Sequence, residues 1–387
     1  MQEGDSVGAT IARIRKQQGL TQGVLARKAN VGRSQLSTVE NGAAASTVWI
    51  GSIAEALGVD ASILYGDNEP QQAHDMLPIL RRALAATDLI DPNLEPQPIA
   101  DLADQIAKVA RWRKDSQYAK VVAVLPDLVD SLLVSGSEDG EPAFALLTEA
   151  YRAANTVSHK MGFTDLSMTA TERMEWAATR AGDPLLLATV YYVKAATLSR
   201  MGATKHALRL LNRAMSEIEY MVDEDGTAAA VYSILHMRAG TIAAATGDAD
   251  ASRSHLREAE ILARHFGGDR IVYDTPVGPT AIDLYKVCAE VDLGEPGKAI
   301  AVAKGTQFPV NYPKERRGYF WLDTARAYLA AGQVDDAINA LYESRIAAPE
   351  HFQRSSQAKN VIKTAAAQER RASTSLRSLA NFAGVRD

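Results

Sequence analysis

Apolar residues recur at three- and four-residue spacing through nearly the whole chain, the period of helices that bury one face. Between residues 6 and 65 this pattern predicts five short helices with clear start and stop signals. The first turns Val7, Ile11, Ile14 and Leu20 inward, carries Arg13, Arg15 and Lys16 outside or at its edge, and is closed by Gly19. Thr21 caps the second, whose inner residues are Val24, Leu25 and Ala29, and Asn30-Val31-Gly32 forms a tight turn. The third starts near Ser34, turns Leu36 and Val39 inward and ends at Asn41-Gly42. The fourth carries Ile50, Ile53 and Leu57 up to Gly58, and the fifth is the short stretch from Ser62 to Tyr65. Two short helices around a glycine-containing turn fit the bihelical unit that enters a DNA major groove.

Beyond this head the chain shows three breaks, at Gly66–Pro70, Asp91–Pro98 and Ser135–Gly140. Between and after them it reads as helix, rich in alanine and leucine, with no alternating strand pattern. Turn glycines recur at Gly162, Gly202, Gly247, Gly294 and Gly332, spaced by 40, 45, 47 and 38 residues. Four of them are followed within five positions by a small residue, Ala207, Ser252, Ala299 or Ala337, where two helices would cross closely. In the last unit Trp321, Tyr328, Gly332, Ala337 and Pro349 resemble a tetratricopeptide (TPR) repeat, and Gly240, Ser252, Leu256 and Ala259 match in the unit around Gly247. The other units are longer and degenerate, so the reading is a TPR-like array, with a stack of unrelated helical hairpins as the alternative.

In the head, Gly19-Leu20-Thr21-Gln22, Leu25-Ala26, Val31, Ser34-Gln35-Leu36-Ser37, Val39-Glu40-Asn41-Gly42, Ile53-Ala54 and Leu57-Gly58-Val59 resemble the phage-repressor (XRE, Cro/C1) helix-turn-helix family, over about one sixth of the chain. The resemblance implies that Gln22 binds a DNA phosphate at a helix N-terminus. It places Arg33, Ser34, Ser37 and Thr38 nearest the base edges, with the Arg33 fork suited to guanine O6 and N7. It further implies an internal Arg15–Glu40 salt bridge and a backbone contact from Asn41. Ala43-Ala44-Ala45 departs from the basic residues often found at that place. A small helical bundle used for protein contacts is the other reading of this region.

The expected fold is all-α: a five-helix lambda-repressor-like DNA-binding domain followed by a TPR-like α-solenoid. Its expected division is a head at 1–66, a linker at 67–72, a helical connecting region at 73–140, repeats at 141–350 and capping or dimerisation helices at 351–387. Such arrays present a concave surface lined by the first helix of each pair. Aligning the helices on their turn glycines sets Arg152, Thr156, His159, Thr189, Tyr192, Arg200, Met237, Thr241, Cys288, Tyr319 and Arg326 toward it. As a group they suit a peptide or a compact polar ligand, although ordinary helix packing explains any single one.

Charge and composition narrow the choice. The 387 residues carry a net charge of −5, which speaks against a basic coat for bulk nucleic-acid binding. Residues 1–66 hold six basic and five acidic side chains, a net +1, so modest non-specific DNA affinity is expected. No apolar run approaches the ~20 residues that span a bilayer. The acidic start, Met1–Asp5, lacks the apolar core of a signal peptide, and the lone Cys288 suits a reducing compartment. A cytoplasmic protein without membrane contact is therefore expected. No phosphate-binding glycine loop is present, and the seven histidines form no HExxH pair. His255 and His265 read as surface or interface residues of an amphipathic helix. Neither catalysis, cofactor nor metal is expected.

The combination resembles the peptide-sensing regulators of Gram-positive bacteria and similar actinomycete regulators. That resemblance implies a homodimer reading a palindromic operator in double-stranded DNA, with a peptide or small-molecule effector in the groove. The alternative is an array that docks a partner protein and takes no small effector.

Overall fold

The computed structural model describes residues 6–65, 71–85, 90, 93–369 and 373–385. The head is built from α1 (Val7–Gln17), α2 (Gln22–Ala29), α3 (Arg33–Glu40), α4 (Thr47–Leu57) and α5 (Ala61–Tyr65). Side-chain caps start three of them: Ser6, Thr21 and Ser46 accept the N–H groups of Ala9, Val24 and Trp49. Asn30 ends α2 in the left-handed region at φ 53°, a conformation asparagine tolerates because its short polar side chain bonds locally. Ile11, Leu25, Leu36, Trp49, Ile50, Ile53 and Leu64 are fully buried and form the core of this unit.

The rest is a helical array. It opens with α6 (Gln71–Ala85), α7 (Ile99–Lys114) and α8 (Tyr118–Asp139). Five helical hairpins follow, the first three being α9 (Glu141–Lys160) with α10 (Thr164–Arg180), α11 (Pro184–Arg200) with α12 (Thr204–Ile218), and α13 (Gly226–Ala245) with α14 (Ala249–Phe266). A two-stranded antiparallel hairpin, β1 (Arg270–Val272) and β2 (Thr275–Val277), precedes α15 (Pro279–Asp292) with α16 (Pro296–Gly305) and α17 (Lys314–Ala330) with α18 (Val334–Ala347). The chain finishes with α19 (Pro349–Arg354), α20 (Ser356–Gln368) and α21 (Thr374–Ala383).

The five recurrent glycines sit at the turns inside these hairpins, all with φ between 74° and 86°, where a Cβ would strain the backbone. Ala207, Ser252, Ala299 and Ala337 are each fully buried, as close helix crossings require. Gly240 makes the same point from the opposite helix: a Cβ there would lie 2.9 Å from Leu256 Cγ. One apolar core runs from Leu80 on α6 to Ala327 on α17, so α6 to α8 share the core of the hairpins that follow them. A second cluster joins α17 and α18 to the three terminal helices through Leu322, Leu341, Phe352, Val361 and Leu379.

Three expectations are corrected. The break at Ser135–Gly140 contracts to Gly140, because α8 continues through Asp139. Ser135 is buried and exchanges hydrogen bonds with the Gln97 backbone, while Phe144 packs against Gly136. The β hairpin is the second: its strands are too short to show alternation, and its turn is Tyr273-Asp274, both at positive φ. Third, the segment from Phe352 to Phe382, read as one or two helices, falls into α19, α20 and α21. The expected linker lies mostly outside the described residues, as do Arg370 and Arg371 of the basic C-terminal stretch.

Candidate functional site

Clamping of α1 to α3 begins with Arg15. Its guanidinium reaches Glu40 through Nε at 2.6 Å and Nη2 at 2.8 Å, and donates a third bond to the Leu20 carbonyl. Burial would push the Glu40 carboxyl up, but Arg15 and Gln22 outweigh it and hold Glu40 below the usual carboxylate range. Gln22 gives its Nε2 to Glu40 Oε2 at 2.8 Å, so this amide serves the clamp in the present arrangement. On α3, Arg33, Ser34 and Thr38 are exposed and Ser37 is half-buried; Asn41, just past the helix, is exposed. These five form one polar face, while Leu36 and Val39 point into the head. Two short helices set around a tight turn, with a polar outer face on the second, is the geometry that reads a DNA groove.

Residues 6–62 match the family model of a helix-turn-helix domain. No curated protein matches the chain. The chain thus carries a helix-turn-helix domain at its head, the kind of domain found in DNA-binding regulators, followed by a largely helical array.

This helix-turn-helix domain is seated on the array. A Cβ on Gly51 of α4 would lie 2.5 Å from the Arg200 carbonyl oxygen and 2.8 Å from that of Ser199. Gly202 answers from the other side, where a Cβ would meet Glu55 Cβ at 2.5 Å and the Gly51 carbonyl at 2.6 Å. Two glycines thus let backbone touch backbone. Asp292, at the end of α15, accepts from Ser46 Oγ through its carboxylate and from Gln35 Nε2 through its main-chain carbonyl, both at 2.6 Å. Gly32, which precedes α3, abuts the turn at Gly247. Ala44 packs against the C-terminal cluster, which accounts for the alanines where basic residues were expected: this loop faces protein.

Beneath the head lies a cavity of about 230 Å³, walled by the first helices of the hairpins and by Ser46, Thr47 and Val48 of the head. Arg152, Thr156, His159, Tyr192, Arg200, Thr241, Cys288 and Tyr319, from the face aligned by sequence, all border it. Thr189, Met237 and Arg326 do not. Thr189 bonds its own helix at the Leu185 carbonyl and Met237 is fully buried in the core. Arg326 stands behind the wall, held by Asp292 and Asp323.

Sequence reasoning missed Arg238, Arg316, Arg113, Lys160 and Tyr285, which also line the cavity. Arg238 had a legible signal, since it is the single charged residue of the alanine-rich α13. Of the missed cations, Arg113 is anchored by Asp274 of the unforeseen β hairpin, and Lys160 pairs with Glu315 of α17 at 2.6 Å. A smaller pocket of about 130 Å³ adjoins, sharing Thr47, His159, Lys160, Arg200 and Tyr319.

Buried histidines make a pH prediction. Burial brings His351 from 6.5 down to about 3, with Lys160 adding to the effect, and brings His236, beside the tilted ring of His255, down to about 4. His255 is half-buried against α13, at the interface between the two helices, one of the two placements expected for it. The unfolded chain takes up these protons near pH 6.5 and the folded chain does not. Stability is therefore full above about pH 6.5 and lost as pH falls from there toward about 4, by roughly 1.4 kcal/mol per pH unit for each histidine. Thermal melts between pH 7.5 and 5 should fall steeply, and less so in His351→Phe; a flat profile in the native protein would contradict the assignment.

Proposed function

We propose that this protein is a sequence-specific transcription regulator that binds a palindromic operator as a homodimer and responds to a small effector held by a TPR-like array. The observation that carries this reading is the shared wall of the cavity: its lining comes from both the DNA-binding head and the array. An occupant would touch both, and a ligand that favours one placement of the head shifts its availability for DNA. The cavity's size favours a compact molecule over an extended peptide. The head seated over the cavity also disfavours the alternative, an open groove that docks a partner protein. Catalysis has no part in this reading. The proposed division keeps 1–66 as reader and 67–72 as linker, with 73–140 as the base of the array, 141–350 as its repeats and 351–387 as a cap or dimer contact.

Selection from a randomised duplex pool tests the reading. The full-length protein should enrich an inverted repeat with half-sites one helical turn or a multiple apart. Arg33→Ala should relax preference at one base pair per half-site, at a cost of about 1–3 kcal/mol on the best site. Gln22→Ala should weaken binding to all sequences alike. Equal losses on the selected site and on random DNA for both variants would remove the assigned roles. No enrichment, with binding that vanishes as salt rises, would leave a head that does not read sequence.

A further inference from the structure

Six cations reach the wall of the larger cavity. Three are matched inside the protein. Arg113 pairs with Asp274, Lys160 pairs with Glu315, and Arg152 has Glu149 together with the Tyr273 carbonyl and the Thr275 hydroxyl. The other three have no carboxylate among the described residues. Arg200 donates to Thr197 Oγ1 at 2.9 Å. Arg238 lies 4.5 Å over the Tyr192 ring and donates to the Tyr285 hydroxyl, leaving its buried Nε without a partner. Arg316 donates to the Tyr192 hydroxyl at 3.0 Å. The wall's remaining carboxylates, Asp292 and Asp323, are both taken by Arg326 behind it.

Arginines stacked on tyrosines are ordinary packing when they stand singly. Here three converge from α11, α13 and α17 on one space with no carboxylate paired to any of them among the described residues and only the Tyr192 hydroxyl set between Arg238 and Arg316, an arrangement that a bound anion would stabilise. Tyr192 registers the resulting field. Burial alone would push its hydroxyl up, yet Arg238 and Arg316 outweigh burial and bring it down to about 6, while burial pushes the bonded Tyr285 up to about 12.

We propose that this cavity binds a small organic polyanion, a di- or tricarboxylate or a phosphate monoester, gripped by Arg200, Arg238 and Arg316, and that the bound anion holds the DNA-reading head in its docked position. This deepens the effector reading above and rests on it. Guanidinium forks suit carboxylate and phosphate oxygens equally, so the common chemistry is two or more negative groups on a short frame. A cavity of this size suits a compact frame. Tyr285, Phe320 and Leu284 offer surface for its hydrocarbon part.

The head enters through Thr47 and Val48, the first turn of α4, where backbone N–H groups lack helical partners and favour negative charge. When the head lifts, that part of the wall leaves with it and water reaches the arginines. The anion therefore binds the docked state more tightly. By linkage it lowers DNA affinity, and DNA lowers anion affinity by the same factor.

Calorimetric titration of the full-length protein in low-salt buffer tests this, with succinate, citrate, inorganic phosphate and glucose 6-phosphate as probes and succinamide and glucose as neutral comparators. At least one anionic probe should bind once per chain with Kd below about 1 mM. Carboxylate and phosphate probes are compared directly, and the stronger class names the source. Arg238→Gln and Arg316→Gln should each weaken that binding roughly tenfold, the loss of one charged donor, while melting cooperatively. Tyrosinate absorbance at pH 7.5 should fall as the anion neutralises the field around Tyr192. A saturating probe should lower affinity for the selected DNA site at least roughly fivefold. Comparators binding as well as the anions would overturn the anion assignment and leave the effector reading standing. No binding by any compound at about 10 mM would overturn both, since three unpaired arginines should hold a dianion at that concentration. Anion binding without an effect on DNA affinity would overturn the docking half.

Discussion

Gly51→Ala is expected to raise the affinity of the full-length protein for its selected DNA site by roughly tenfold. The substitution acts at one place only. Inside α4, alanine is a better helix former than glycine by about 1 kcal/mol, so the head itself should fold at least as well. Its new methyl, however, would lie 2.5 Å from the Arg200 carbonyl oxygen, a backbone atom that cannot swing aside. Forcing a methyl into such a packed contact costs about 1–3 kcal/mol, which loosens the docked state by a factor of roughly five to one hundred and fifty.

DNA gains because the docked state obstructs reading. Base contacts come from the N-terminal end of a recognition helix. In the docked head, Gln35 in the first turn of α3 is bonded to Asp292, and Gly32 abuts the turn at Gly247. A groove wall would need that space. Where only a fraction of molecules is competent, apparent Kd rises by the inverse of that fraction, and Gly51→Ala enlarges the fraction without touching Arg33, Ser34 or Thr38. Fluorescence titration on labelled duplex, with hydrogen exchange of α4 as a monitor of release, separates the outcomes. Unchanged affinity despite a released head would mean that docking and reading are independent. Reduced affinity would make the docked arrangement the one that reads DNA.

Much of the head was legible because its signals are local. The cap at Thr21, the turn at Asn30, and the spacing of Ile11, Leu25, Leu36 and Ile53 depend on neighbours a few residues away. The array was legible from its turn glycines and buried small residues, again local requirements. The cavity was legible only by helix phase, which drifts. Met237 was taken as facing inward when its neighbour Arg238 does, a rotation of about 100° on the helix. Arg316 sits among the charges Lys314–Arg317, and nothing in the sequence sets it apart from its neighbours. What sequence could not show at all was that the head covers the array. That contact rests on Gly51, Gly202 and Asp292, residues more than 140 positions apart for the nearest partners, with no periodic signature.

Replacing Arg326 by leucine should cost about 3–5 kcal/mol of stability. The guanidinium is only 1% exposed and bonds Asp292 at 2.6 Å and Asp323 at 2.8 Å. Gln357 adds a bond to Asp323 at 2.8 Å, and Asp292 passes the network on to Ser46 of the head. Leucine would leave two buried carboxylates with no cation between them. Burial already pushes Asp323 above the usual carboxylate range even though Arg326 opposes it; without Arg326 it would rise further. A carboxyl whose folded pKa exceeds its unfolded value destabilises as pH rises, because the folded state must shed a proton it keeps more tightly. The deficit in Arg326→Leu should therefore be larger at pH 8 than at pH 5.5, the opposite slope to that of the buried histidines. Adding Asp292→Asn and Asp323→Asn should return much of the loss by removing the unpaired charge, as exchanging a whole buried ionic group for neutral ones often does. Urea midpoints for the native chain, the single variant and the triple variant decide it. A single-variant loss under about 1 kcal/mol would mean that water reaches the triad, and that Asp292 holds Ser46 and the docked head without help from Arg326.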